Sequence, residues 1–378
     1  MKKTIVFAGG GTGGHIYPGL AIAGYLHSLD PEIRIIWIGN SGGMDSRIIE
    51  KCASVDKFYG IPCGKLRRYF SVRNFFDIFK IAAGLVISVF ILLKEKPSVL
   101  FSKGGFVSVP PCYAAALLKI PVWTHECDFS PGLATRLNAK VAKRVFFSYE
   151  ATKKFFPGKS DSAFSVSGNP IRGEFFSADG ARGRKFLNLE NPSKPILLVL
   201  GGSGGARQIN NLVAQNLEFL CEKFIVVHQT GDHMGDCSDS DLENRLINEK
   251  NYFPYKFIYN EMCDVVACAD VILSRSGANS IWEAAICKKP LLLIPLEGSG
   301  TRGDQVENAE FFAQNRAAVV LRNSDLDGDC GVENFRSAVL RFTDGDFCRS
   351  LSQGCEKLTK NQNPAKNLAE TLFQEAFL

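Results

Sequence analysis

The chain is 378 residues long, enough for two domains with separate cores, and its 46% hydrophobic and 22% charged residues are an ordinary globular balance. A net charge of +5 spread over this length does not argue for nucleic acid, and no nucleic-acid partner is expected. The 12 cysteines show neither a CxxC pair nor a Cys/His zinc spacing; several sit in apolar segments (Cys263, Cys268, Cys287), as buried thiols do in a reducing compartment.

The first residues run through one short apolar stretch, Thr4 to Ala8, straight into Gly9-Gly-Gly-Thr-Gly-Gly14-His15. That apolar core is too short for a signal peptide, and it reads as a strand followed by a glycine loop and an opening helix. The spacing Gly9-x-Gly11-x-x-Gly14 fits a dinucleotide fingerprint. The next strand, Ile33 to Ile38, ends in Gly39-Asn40-Ser41-Gly42 with no acid at its tip to hold an adenosine ribose, which counts against NAD. His15 stands where a strand hands over to a helix, the rim at which α/β active sites lie.

Residues 65–80 carry five basic residues against one acid, interleaved with Tyr69, Phe70, Phe75, Phe76 and Phe79. A basic, aromatic, amphipathic stretch is how a protein lies on an anionic membrane, so Arg67, Arg68, Arg73, Phe75, Phe76, Phe79 and Lys80 are candidate docking residues. A second basic patch at 134–144 adds Lys140. Between Lys80 and Lys94 lie 13 uncharged residues, Ile81 to Leu93, against the about 20 that a membrane span needs, so this segment reads as a buried or interfacial helix.

Val99 to Ser102 and Pro121 to Trp123 are further strands. The second has Thr124, His125, Glu126 and Asp128 at its tip, a polar cluster suited to binding a sugar or to acid–base work. Val145 to Ser148 is a strand, and Gly168-Asn169-Pro170 is a natural hinge. The pattern then restarts. Ile196 to Leu200 leads into Gly201-Gly-Ser-Gly-Gly205, Phe224 to Val227 and Phe257 to Tyr259 read as strands, and Val271 to Leu273 leads into Ser274-Arg-Ser-Gly-Ala-Asn-Ser-Ile-Trp-Glu283. Ser276, Gly277, Asn279 and Ser280 are turn and helix-capping types. The helix start they make is a phosphate site, with Glu283 placed to accept from a ribose diol. Leu291 to Ile294 closes the series. Two βα series, each opened by a glycine loop, make an α/β protein of two doubly wound parallel-sheet domains facing each other across a cleft. Asp325-Leu-Asp-Gly-Asp329 fails the calcium-loop rule, with Cys330 and Arg336 at its sixth and twelfth positions, and reads as a solvated turn.

Seven segments taken together resemble one family. They are GGGTGGHIYP at 9–18, FSKGGFVSVPP at 101–111, HECDFSPGL at 125–133, GNPIR at 168–172, GGSGGAR at 201–207, SRSGANSIWEAA at 274–285 and RGDQVENA at 302–309. In this order they resemble the MurG family of transferases, glycosyltransferase family 28. The resemblance implies a GT-B fold of two Rossmann-like domains, residues 1–168 for acceptor and membrane and 169–361 for UDP-GlcNAc. A C-terminal helix, about 362–378, would pack back on the first. It implies inverting transfer of GlcNAc from UDP-GlcNAc to the C4 hydroxyl of MurNAc in lipid I, giving lipid II for peptidoglycan synthesis, at the cytoplasmic face of the bacterial membrane. Other cell-wall enzymes are implied as partners.

By match, Ala278, Asn279 and Ser280 lie beside the nucleotide, Glu283 binds the ribose and Tyr259 reads the uracil. Ser203 and Gly204 lie on the diphosphate loop, Arg172 at the hinge, and Asp304 and Gln305 at the GlcNAc hydroxyls. Thr12, Gly13 and Gly14 close over the donor, and His125 and Asp128 join the substrate contacts. His15 is the candidate general base and Glu126 a second. Asp128 stands where relatives carry asparagine, and Asp304 where they carry a second glutamine. No Asp-x-Asp sits at a strand end, in keeping with a metal-independent enzyme with no cofactor. Another UDP-sugar transferase acting on a lipid, an NAD oxidoreductase and a nucleotide-sugar sensor are the alternative readings.

Overall fold

The computed structural model describes residues 3–64, 72–202, 204–232, 249–298, 301–360 and 362–377, with the backbone alone at 72–76. It divides into two compact units, one of residues 1–172 with 363–378, the other of residues 173–362.

The first unit is built on a seven-stranded parallel sheet of order β3-β2-β1-β4-β5-β6-β7. Its strands are β1 (Thr4–Gly9), β2 (Arg34–Asn40), β3 (Lys57–Ile61), β4 (Val99–Gly104), β5 (Val122–Glu126), β6 (Arg144–Phe147) and β7 (Phe164–Val166). The central strands are continuous apolar runs because helices cover both faces. On one face α1 (Gly13–Leu29) packs through Ile16, Ile22, Ala23 and Leu26 against Phe7, Trp37 and Phe101. Phe7 and Trp37 stack with centroids 5.5 Å apart, and a Cβ at Gly19 would meet the Trp37 ring at 2.5 Å, so only glycine lets α1 lie this close. The C-terminal helix Pro364–Phe377 completes this face with Ala365, Leu368, Ala369 and Leu372, all buried. Burying each of its two leucines contributes about 2 kcal/mol. Asn363 donates to the Tyr25 hydroxyl at 2.6 Å, and Arg144 pairs with Glu375. On the other face lie α3 (Val72–Glu95), α4 (Val109–Leu117) and α5 (Leu133–Val141); α2 (Met44–Ile49) follows β2.

The second unit repeats the plan with a six-stranded parallel sheet of order β10-β9-β8-β11-β12-β13. Its strands are β8 (Ile196–Leu200), β9 (Ile225–Gln229), β10 (Tyr252–Tyr255), β11 (Val271–Ser274), β12 (Leu291–Leu293) and β13 (Ala318–Val320). Its helices are α6 (Gly180–Phe186), α7 (Arg207–Gln215), α8 (Leu217–Lys223), α9 (Met262–Cys268), α10 (Ala278–Ile286), α11 (Asp304–Gln314), α12 (Asn323–Leu326), α13 (Gly331–Leu340) and α14 (Gly345–Thr359). Asp344 caps α14 by accepting from the Asp346 and Phe347 amides. The expected strand at 257–259 is a loop; the strand is Tyr252–Tyr255. The Ile258 amide goes instead to the Gln229 side chain at 2.9 Å. Pro254 is tolerated because β10 is the sheet edge.

His228 on β9 is buried between the Tyr252 hydroxyl, 2.9 Å from Nδ1, and Asn210 Oδ1, 3.1 Å from Nε2. Burial pushes its pKa down from 6.5 to about 4. The ring is neutral when folded, so its contribution is whole above about pH 6.5 and is lost as pH falls toward 4. The loss is about 2 kcal/mol by pH 5. Urea unfolding between pH 7 and 4 should show this slope, and His228→Gln should flatten it; equal slopes in both proteins would contradict it.

Candidate active site

In each unit the strand order reverses once, between β1 and β4 and between β8 and β11, and the glycine loops leave the sheets at these points. His15 lies in the first turn of α1, half-buried, with Nδ1 2.8 Å from the Thr12 hydroxyl. Its ring lies over the tip of β4. A Cβ on Gly105 would approach ring atoms at 3.2 Å and the Gly10 carbonyl at 2.7 Å, and Gly104 and Gly105 have φ of +86° and +77°. Glycine is therefore required there both for the turn and for room beside the imidazole. Gly13 and Gly14 open the same helix. Arg172 lies over the Tyr17 ring, 5.6 Å from its centroid, two residues along α1 from His15.

At the β5 tip the structure places two of the candidate residues, His125 and Glu126, inside the fold. His125 is buried, and both ring nitrogens are engaged within the fold. Nδ1 lies 3.1 Å from Lys103 Nζ, and Nε2 lies 3.0 Å from the Gly168 carbonyl and 3.1 Å from Ser167 Oγ. Burial, then the Lys103 charge, hold its pKa well below the usual histidine range, so it is neutral and ties β5 to the 167–168 segment. Glu126 is also buried. One oxygen accepts from the Cys127 and Asp128 amides at 3.0 and 3.1 Å, and the other from the Gly132 amide at 3.1 Å. Burial and the Asp128 charge push its carboxyl up, while the Thr135 hydroxyl, the Asp128 amide and Lys103 pull it down. A carboxylate spent on three backbone donors shapes the 127–132 loop. Lys103 escaped notice in the sequence, although a lysine inside an apolar strand was the signal; it also donates to Cys127 Sγ at 2.8 Å.

In the second unit a cavity of about 400 Å³ lies over the sheet, lined by Gly201, Gly202, Gly205, Arg275, Ser280 and Gln305 among others. Gly205 has φ +77°, and a Cβ there would strike the Thr230 carbonyl at 2.2 Å. Ser203 lies outside the described residues; Gly204 is exposed on the same loop. Ala278, Asn279 and Ser280 form the first turn of α10, and Glu283 follows within it, half-buried. The Gln305 side-chain oxygen accepts from the Leu296 amide at 3.0 Å, and its carbonyl accepts from Ser276 Oγ at 2.7 Å. Asp304 pairs with Arg302 at 2.8 Å at the start of α11. Tyr259 is 70% exposed, its ring against Phe257. Arg275, unused in the sequence reading, donates through one nitrogen to Gln208 Oε1 and to the Ile294 and Pro295 carbonyls at 2.9–3.1 Å. It thereby joins the tips of β11 and β12 to α7.

Of the expected docking residues, Arg67, Arg68 and the side chains of Arg73, Phe75 and Phe76 lie outside the described residues. Phe79, Lys80 and Lys140 are exposed. The exposed apolar surface continues beyond the basic stretch: Phe79 is 60% and Phe90 67% exposed, and Ala82, Ala83, Val86 and Leu93 share their side of α3. The opposite side buries Ser88, Ile91, Leu92 and Glu95, the last bonded to Arg34 and Tyr59. Among the described residues no helix is long and apolar enough to cross a membrane, and no three His, Cys, Asp or Glu side chains gather as a metal-ligand set.

Two Rossmann-like parallel-sheet units, each with a glycine loop at its switch point, define a GT-B glycosyltransferase architecture. The chain matches the glycosyltransferase family 28 N-terminal domain over residues 5–147 and the family 28 C-terminal domain over residues 196–343, and it belongs to this family. It is 50% identical over 382 residues to a Treponema denticola protein, covering 98% of this chain and 97% of that one. It is 36% identical to a Borreliella burgdorferi protein, covering 99% and 97%. Both relatives are named UDP-N-acetylglucosamine–N-acetylmuramyl-(pentapeptide) pyrophosphoryl-undecaprenol N-acetylglucosamine transferase. The crystal structure of Acinetobacter baumannii MurG superposes with a TM-score of 0.73 at 22% identity, covering 98% of this chain and 99% of that one.

Proposed function

We propose that this chain transfers GlcNAc from UDP-GlcNAc to the C4 hydroxyl of the MurNAc unit of lipid I, with inversion, giving lipid II. The observation that carries this is its 50% identity, across 98% of its length and through both units, to the transferase of that name. The second unit holds the donor. The diphosphate sits on the loop 201–205 and the α10 N-terminus, where free N–H groups and the helix dipole favour negative charge. Glu283 accepts from the ribose diol, and Gln305 reads the GlcNAc hydroxyls beside Asp304. Tyr259, with its ring turned outward, offers backbone groups to the uracil.

The first unit supplies the base. With Nδ1–H donated to Thr12, the His15 Nε2 lone pair takes the proton of the attacking hydroxyl. Glu126 acts by holding the 127–132 loop, which makes it a positioning residue. As the glycosidic bond to the diphosphate breaks, negative charge grows on UDP, and the loop amides and helix end stabilise it without needing a divalent ion. Because the acceptor is lipid-linked, the exposed face of α3, with Lys80 and Lys140, rests on an anionic membrane. The experiment is the transfer itself: labelled GlcNAc from UDP-GlcNAc should appear in a lipid-linked disaccharide with a β linkage, and an α linkage would refute inversion.

A further inference from the structure

We propose that Asp45 is a positioning residue for the transfer reaction, holding the first glycine loop in the form that presents Thr12 and His15. The inference rests on the assignment of His15 as base. Asp45 is the second residue of α2, 1% exposed, and 34 residues from the loop it touches. Oδ1 accepts from the Gly11 amide at 2.9 Å. Oδ2 accepts from the same amide at 3.1 Å and from the Asn40 amide at 2.9 Å. One carboxylate thus ties the tip of β2 to the loop after β1. The packing is close: a Cβ on Gly10 would lie 1.8 Å from Oδ2, and one on Gly39 3.3 Å from it.

Two consequences follow from this geometry. In a dinucleotide loop the backbone amides turn toward the diphosphate, and an acid at the second strand's tip holds the ribose. Here the acid comes from five residues beyond Asn40 and turns back on the protein. It occupies the Gly11 amide, which is therefore spent within the protein. Next in the chain, Thr12 immediately precedes α1, accepts the His15 amide on its carbonyl at 3.1 Å, and meets His15 Nδ1 through its hydroxyl. Gly11 has φ +84°, and its partner is the only thing the described residues show holding that amide in place. The run from Asp45 through Gly11 and Thr12 to His15 fixes the imidazole against the β4 tip, and a base misplaced by an ångström loses much of its effect.

Asp45→Asn keeps the volume but replaces one acceptor oxygen with an NH2 group that faces an amide donor. Gly10→Ala leaves Asp45 in place and drives its carboxylate off the loop. Both are measured in the full chain with UDP-GlcNAc and a short-chain lipid I analogue, together with thermal melting and UDP affinity. In each variant kcat should fall at least tenfold, while KM for UDP-GlcNAc and the Kd for UDP stay within twofold. Turnover within threefold of wild type in both variants would overturn the inference. So would a loss of kcat that only follows the folded fraction in both, which would make Asp45 a purely structural group. If Asp45→Asn does not fold, Gly10→Ala decides alone. An inactive wild-type protein would instead refute the transfer reading beneath it.

Discussion

His15→Ala is expected to lower turnover about a hundredfold or more, with UDP affinity held within about threefold. His15 belongs to the first unit, and its ring is placed by Thr12 on one side and by the side-chain-free Gly104–Gly105 backbone on the other. The donor contacts proposed above, on the glycine loop, α10 and Gln305, belong to the second unit. Loss of proton abstraction should therefore appear in kcat and leave donor binding nearly untouched. Steady-state kinetics and calorimetric titration with UDP separate the two. A drop in UDP affinity as large as the drop in turnover would make His15 a donor-binding residue.

The second large effect concerns the exposed side of α3. Phe79→Glu with Phe90→Glu is expected to weaken binding to vesicles containing anionic lipid by more than tenfold. Fully burying one such ring is worth about 2 kcal/mol, and tenfold is about 1.4 kcal/mol, so partial insertion of both rings suffices. Turnover on a short-chain, water-soluble acceptor should hold, because the rings point away from the sheet and its switch point. Sedimentation with vesicles and the soluble assay test the two halves. Unchanged vesicle binding would refute the docking surface, and a dimer that becomes monomeric in the variant would assign the face to a second copy of the chain.

The central strands were legible because a parallel sheet covered on both faces turns its strands into unbroken apolar runs, as at Thr4–Gly9 and Ile196–Leu200. The strands Lys57–Ile61 and Ala318–Val320 were not, since short strands near sheet edges carry little periodic signal. On α3 the inner and outer faces are both apolar, so residues 81–93 look uniform, and only packing separates Ile91 from Phe90. His15 could be read because a histidine closing a glycine run at a strand end is a local pattern. Glu126 could be read as a carboxylate at a strand tip, but its backbone partners depend on how the following loop folds. Asp45 could not be read at all. Its contact with Gly11 spans 34 residues, and no pattern in either segment points to the other.

The most direct measurement is transfer of labelled GlcNAc from UDP-GlcNAc to a short-chain lipid I analogue, with and without EDTA. The expected result is a disaccharide-linked product formed at the same rate in both. Product that vanishes with EDTA would contradict charge stabilisation by loop amides and a helix end alone. No product, with UDP still tightly bound, would contradict the acceptor assignment and leave a donor-binding transferase for another lipid.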